Sequence, residues 1–170
     1  MPRRMELPAE RVHEACMNRP LSPIAIVLGL AGLIPFIGCA LGSIGPNADQ
    51  AALALVAYGA IILAFLGGVH WGFALIEPDG RRERSRLGLG VLPSLVGWAA
   101  VLLTIALGAN AGLVLLVLGF IALTVVEARA RQAGLMPHGY MWLRWVLSVV
   151  VIVTLVSAVL LRLSGARVIF

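Results

Sequence analysis

Residues 87–126 read LGLGVLPSLVGWAAVLLTIALGANAGLVLLVLGFIALTVV, 40 consecutive positions without an Asp, Glu, Lys or Arg. As one α-helix this run would extend roughly 60 Å, at about 1.5 Å per residue. A bilayer's hydrocarbon core is only about 30 Å thick. The run must fold back. Gly108-Ala109-Asn110-Ala111-Gly112 lies at its middle with the glycine and asparagine chemistry that reverses a chain, so it divides into two spans.

The pattern repeats on both sides. Residues 20–48 and 50–76 also lack charge, and so do the 17 residues 145–161, which reach spanning length when Arg144 and Arg162 snorkel to the interfaces. The predicted spans are 22–43, 50–76, 87–107, 111–127 and 142–161. None alternates apolar and polar residues as a membrane β-barrel strand does. The expected fold is therefore all-α, an integral membrane five-helix transmembrane bundle. Its domains are an N-terminal tail (1–21), one transmembrane domain (22–162) and a C-terminal tail (163–170). The first span starts well into the chain and exceeds a leader's apolar core, so it reads as retained.

Composition agrees with this class. The 170 residues are 61% hydrophobic and 12% charged, with a mean hydropathy of +1.00. A soluble domain keeps about a quarter of its residues charged because its surface must face water. All 13 basic residues are arginine, against 8 acids, for a net charge of +5. They cluster beside the apolar runs with no interleaved aromatic stripe, which points to lipid headgroups and excludes a nucleic-acid reader.

Eleven arginines fall on one side of the predicted bundle, in the tail and the second and fourth loops, and Arg162 and Arg167 fall on the other. Positive residues stay inside, so the N-terminus is expected in the cytoplasm and the C-terminus outside. Trp71, Trp142 and Trp145 take interfacial belt positions on the cytoplasmic side. The tail mixes Glu6, Glu10, Arg11, Glu14 and Arg19, a solvated segment or a thin amphipathic surface helix. Cys16 precedes the first span and Cys39 lies near its far end, too distant for a disulfide.

Within the spans a short set of residues stands out. Gly38 with Gly42, and Gly68 with Gly72, form small-xxx-small pairs suited to helix packing, with a homodimer face as the alternative. Pro35 and Pro93 interrupt backbone hydrogen bonding in the first and third spans and are expected to bend them toward the bundle interior. Gly29-Leu30 before Pro35 and Gly88-Leu89 before Pro93 suggest a loose two-hairpin repeat.

His70 is the one histidine inside a span, and a polar residue there is a functional candidate by default. Counted from the cytoplasmic side, His70 and Ser94 are both roughly 9 to 11 Å deep at about 1.5 Å per residue, and Glu127 ends the fourth span on that side. His70, Ser94 and Glu127, with Trp71 and Trp98 beside them, form the candidate polar cluster. Its two readings are a titrating site and a structural clasp. His13 and His138 lie in tail and loop, so no axial haem pair and no zinc spacing is expected. Ser94 lacks a nucleophile elbow, and Gly88-Leu89-Gly90 lacks the strand of a dinucleotide fingerprint. No catalytic set, cofactor or metal is predicted.

The elements Gly32-Leu33-Ile34-Pro35-Phe36, Tyr58 with Phe65-Leu66-Gly67-Gly68-Val69-His70-Trp71-Gly72, Leu92-Pro93-Ser94-Leu95 with Gly97-Trp98, and Gly134-Leu135-Met136-Pro137 leading to Tyr140 and Leu143-Arg144 run through nearly the whole chain. Together they resemble a domain-of-unknown-function family of small bacterial inner-membrane proteins, similar to the mitochondrial transmembrane protein 69. The resemblance implies a multi-pass protein of the bacterial inner membrane and brings no activity with it. The acid ending the fourth span is an aspartate in many such sequences and Glu127 here.

Three functional readings remain at this stage. The first is a non-enzymatic accessory or assembly factor of another membrane system, contacting a membrane complex or a second copy of itself. The second is a small proton-linked transporter or carrier using His70 and the proline-bent helices. The third is an enzyme acting on a lipid or quinone.

Overall fold

A computed structural model describes residues 22–76, 82–132 and 138–165. The N-terminal tail with Cys16 and His13, most of the loop expected at 77–86, and the segment holding Gly134 to Pro137 lie outside the described side chains. The described residues form helices α1 (Pro23–Ala31), α2 (Leu33–Gly42), α3 (Ala48–Ile76), α4 (Arg82–Leu107), α5 (Ala109–Gln132) and α6 (His138–Leu163). With α1 and α2 taken as one span, five helical segments among the described residues are long and apolar enough to cross a membrane: Pro23–Gly42, Ala48–Gly72, Gly90–Leu107, Ala109–Arg129 and Trp142–Leu163.

Local chemistry sets each boundary. Ser22 caps α1 by accepting from the Ala25 N–H at 3.2 Å, with Pro23 in the first turn. The first span breaks at Gly32, three residues ahead of Pro35, because a proline there cannot donate to the Ala31 carbonyl and its ring crowds it. The Tyr58 hydroxyl on α3 donates to the Gly32 carbonyl at 2.9 Å and so ties the break to the bundle.

Pro35 itself faces outward, not into the bundle as expected. Pro93 is buried, and α4 runs through it as one helix. The two proline spans are therefore not equivalent units. Gly38 has open space around it, whereas its counterpart Gly97 is pressed against Ala60 of α3.

The reversal between α4 and α5 is tighter than the five-residue turn expected. Gly108 alone makes it, at φ 95°, and its N–H reaches back to the Thr104 carbonyl. Four residues on, a side chain at Gly112 would collide with Thr104 and with the Ala100 carbonyl, so glycine permits the close antiparallel start of α5.

Each span packs against the next in sequence, α6 closes the ring against α1 and α2, and α3 also touches α5. α3 is the central helix: 44% of its spanning window is buried, against 6% for the first span. The core joins Phe36, Leu55, Leu63, Leu116, Phe120 and Leu155 with their neighbours.

The glycines that bring helices together are not the pairs read from sequence. A Cβ on Gly67 would strike the Gly90 carbonyl, one on Gly90 would strike the Trp71 ring, and one on Gly119 would meet Val96 and Leu63. Gly68 and Gly72 face open space, and Gly42 alone of the predicted four meets a neighbour, the Ala51 Cβ at 3.0 Å. Spacing identifies small residues but not the side of the helix on which a partner lies.

Candidate functional site

Three spans contribute to one polar cluster inside the bundle. His70 comes from α3, Glu127 from α5, and Arg144 with Ser148 from α6; their residue exposures are 5%, 5%, 5% and 2%. Arg144 and Ser148 are four residues apart, one above the other on a single helix face. The Arg144 Nη2 donates to Glu127 Oε1 at 3.0 Å, and its Nη1 donates to Ser148 Oγ at 2.6 Å. The ion pair and the hydroxyl thus satisfy one another away from solvent, as a buried charge requires.

His70 approaches from the other side. Its Nδ1 lies 3.2 Å from the Leu66 carbonyl one turn back. A carbonyl only accepts, so Nδ1 carries a hydrogen. Its Nε2 is buried without a hydrogen-bond partner and lies 4.0 Å from Glu127 Oε1. That is too long for a hydrogen bond. His70 and Glu127 are donors of the kind metals use, yet no third His, Cys, Asp or Glu joins them among the described residues.

The structure therefore brings His70 and Glu127 together and leaves the rest of the predicted set elsewhere. Ser94 is exposed on the outer face of α4, one position past the buried Pro93. Trp98 is 63% exposed. Trp71 is also on the outside, its indole N–H donating to the Leu87 carbonyl at 3.0 Å and linking α3 to α4. The hydroxyl of the cluster is Ser148, which sequence reasoning missed together with Arg144. An arginine just inside a span with a serine four residues on was the available signal. Position alone fits a snorkelling interfacial charge equally well, and the structure turns that charge inward.

A second polar network closes the opposite end. Arg162 of α6 donates to Asn110 Oδ1 at 2.9 Å, to the Ser43 and Ala48 carbonyls at 3.1 and 3.0 Å, and to Asp49 Oδ1 at 2.8 Å. This arginine also turns into the protein, and it holds the α2–α3 connection to the start of α5.

A ring of five apolar helical spans with an ion pair enclosed among them defines a multi-pass membrane protein. The chain belongs to the family described as "Protein of unknown function (DUF3429)", whose model matches residues 21–160. It is 39% identical over 142 residues to Transmembrane protein 69 of Xenopus tropicalis, covering 80% of this chain and 53% of that protein. To Transmembrane protein 69 of Mus musculus it is 35% identical over 138 residues, covering 79% of this chain and 54% of that one. The chain thus spans about half the length of these curated relatives. No solved structure matches.

Proposed function

We propose that this chain is a non-enzymatic accessory or assembly factor of another membrane system, set in a bacterial inner membrane with its arginine-rich end in the cytoplasm. One observation carries the reading. Between the Arg144 cluster and the Arg162 network, the bundle axis is filled by Leu55, Leu63, Leu113, Leu116, Phe120 and Leu155, none more than 1% exposed. A solute path through a bundle needs polar groups or water along it. Here a close-packed apolar layer separates two internally paired charge networks, the build of a scaffold. With Arg144 and Arg162 turned inward, the other arginines divide ten to one by predicted side, which favours the same orientation.

A proton-linked carrier is the second reading, favoured by the unpartnered His70 Nε2 facing Glu127. Two measurements separate them. Affinity purification in mild detergent with mass spectrometry should recover one membrane complex at constant stoichiometry, and His70→Gln should still complement a deletion strain. Proton flux by the purified protein alone in liposomes, lost in His70→Gln, would overturn the accessory reading.

A further inference from the structure

Beside the ionic cluster lies a cavity of ≈ 150 Å³ bounded by α1, α2, α3, α5 and α6. Its walls include Phe36, Phe120 and Val151, all buried, and it reaches the outer surface between Leu28 and Phe65, which are 66% and 67% exposed. Arg144 and Ser148 line it, and Arg144 is the one charged side chain on it among the described residues. Along the first span it runs from about Gly29 to Phe36, and along α6 from Arg144 to Val151. Each stretch is about 10 Å at about 1.5 Å per residue. The void is therefore elongated parallel to the helices, about one alkyl chain wide, open to the lipid side and polar at one end.

We propose that this cavity holds the carbonyl-proximal part of one acyl chain of a bilayer glycerolipid, the rest of the chain passing out to the lipid side, with the ester carbonyl oxygen accepting hydrogen bonds from Arg144 and Ser148. The donors are present. A guanidinium has five N–H groups, and the contacts to Glu127 and Ser148 use two of them. Ser148 accepts from Arg144 and keeps its own proton to donate. Charge selects a neutral head: Arg144 already faces Glu127 at 3.0 Å, so a free carboxylate would bring a second anion beside a cation that is already matched. Depth selects the ester. Arg144 is two residues inside the span that starts at Trp142, and Trp142 and Trp145 are 71% and 40% exposed. Such aromatics sit at the interfacial layer, where glycerol esters also lie. The proposal is independent of the accessory role.

The test begins with full-length protein purified in mild detergent, examined by native mass spectrometry and then delipidated. It is titrated with a diacyl phosphatidylcholine, the matching dialkyl-ether phosphatidylcholine, and oleate. One retained lipid per chain is expected, with the ester lipid bound about three- to tenfold more tightly than the ether, the worth of one net hydrogen bond. Ser148→Ala should lower that preference to the part that Arg144 carries, and Val151→Phe, whose ring obstructs the cavity, should abolish the retained lipid. Equal binding of ester and ether, tighter binding of oleate, an unchanged ester preference in Ser148→Ala, or lipid retained by Val151→Phe would each overturn the proposal. If Val151→Phe does not yield monodisperse protein, the Ser148→Ala comparison decides.

Discussion

Glu127→Gln removes one partner of a buried ion pair and leaves the other in place. The Arg144 and Glu127 side chains are 6% and 7% exposed, and their charged atoms are 3.0 Å apart. With an effective dielectric of about 20, unit charges about 4 Å apart attract by about 4 kcal/mol. Stranding one buried charge costs about 3–5 kcal/mol, because it keeps its desolvation penalty and loses its compensation.

Glu127→Gln should therefore destabilise the bundle by about 3–5 kcal/mol, and Arg144→Met by a similar amount. The double variant removes both charges together and should cost less than the sum of the singles, with a coupling energy of about 2–3 kcal/mol. Glu127→Asp keeps the charge but withdraws it by one methylene, and should fall between wild type and Glu127→Gln. Unfolding measured in mixed micelles by denaturing-detergent titration reads wild type and the four variants on one scale. Single variants each costing under about 1 kcal/mol, or strictly additive effects in the double, would refute the reasoning, since either result means the pair is screened by water.

Other outcomes follow from the remaining geometry. Arg162→Lys should destabilise about as much as Arg162→Met in the same titration, because a compact ammonium cannot reach the four acceptors that the guanidinium spans. Asp49→Asn should shift stability by under about 1 kcal/mol, since that carboxylate is 93% exposed. Gly90→Ala should cost about 1–3 kcal/mol by driving its methyl group into the Trp71 ring, whereas Gly68→Ala, with open space around it, should be neutral or stabilise by up to about 1 kcal/mol. A membrane-impermeant thiol reagent should fail to label Cys16 in intact cells and label it after lysis; labelling from outside would invert the proposed orientation.

Much of this protein was legible without coordinates, for a physical reason. Depth in a membrane is linear in residue number, so uncharged runs bounded by charged residues placed all five spans, and counting along them put His70 and Glu127 toward the same end of the bundle, with Ser94 rather than Glu127 level with His70. Lipid contact removes the other half of the information. A span that is apolar all round shows no preferred face, so nothing in the pattern distinguished Ser94, which points outward, from Ser148, which points inward. The same loss of direction misassigned Gly68 and Gly72, and it let Arg144 and Arg162 pass as interfacial charges. Tertiary packing decided those directions. Gly67, Gly90 and Gly97 let α3 and α4 approach closely, and that packing turns the His70 face of α3 toward α5 and α6. Once Glu127 was enclosed there, the cost of an unpaired buried charge required a cation beside it, and α6 supplied Arg144.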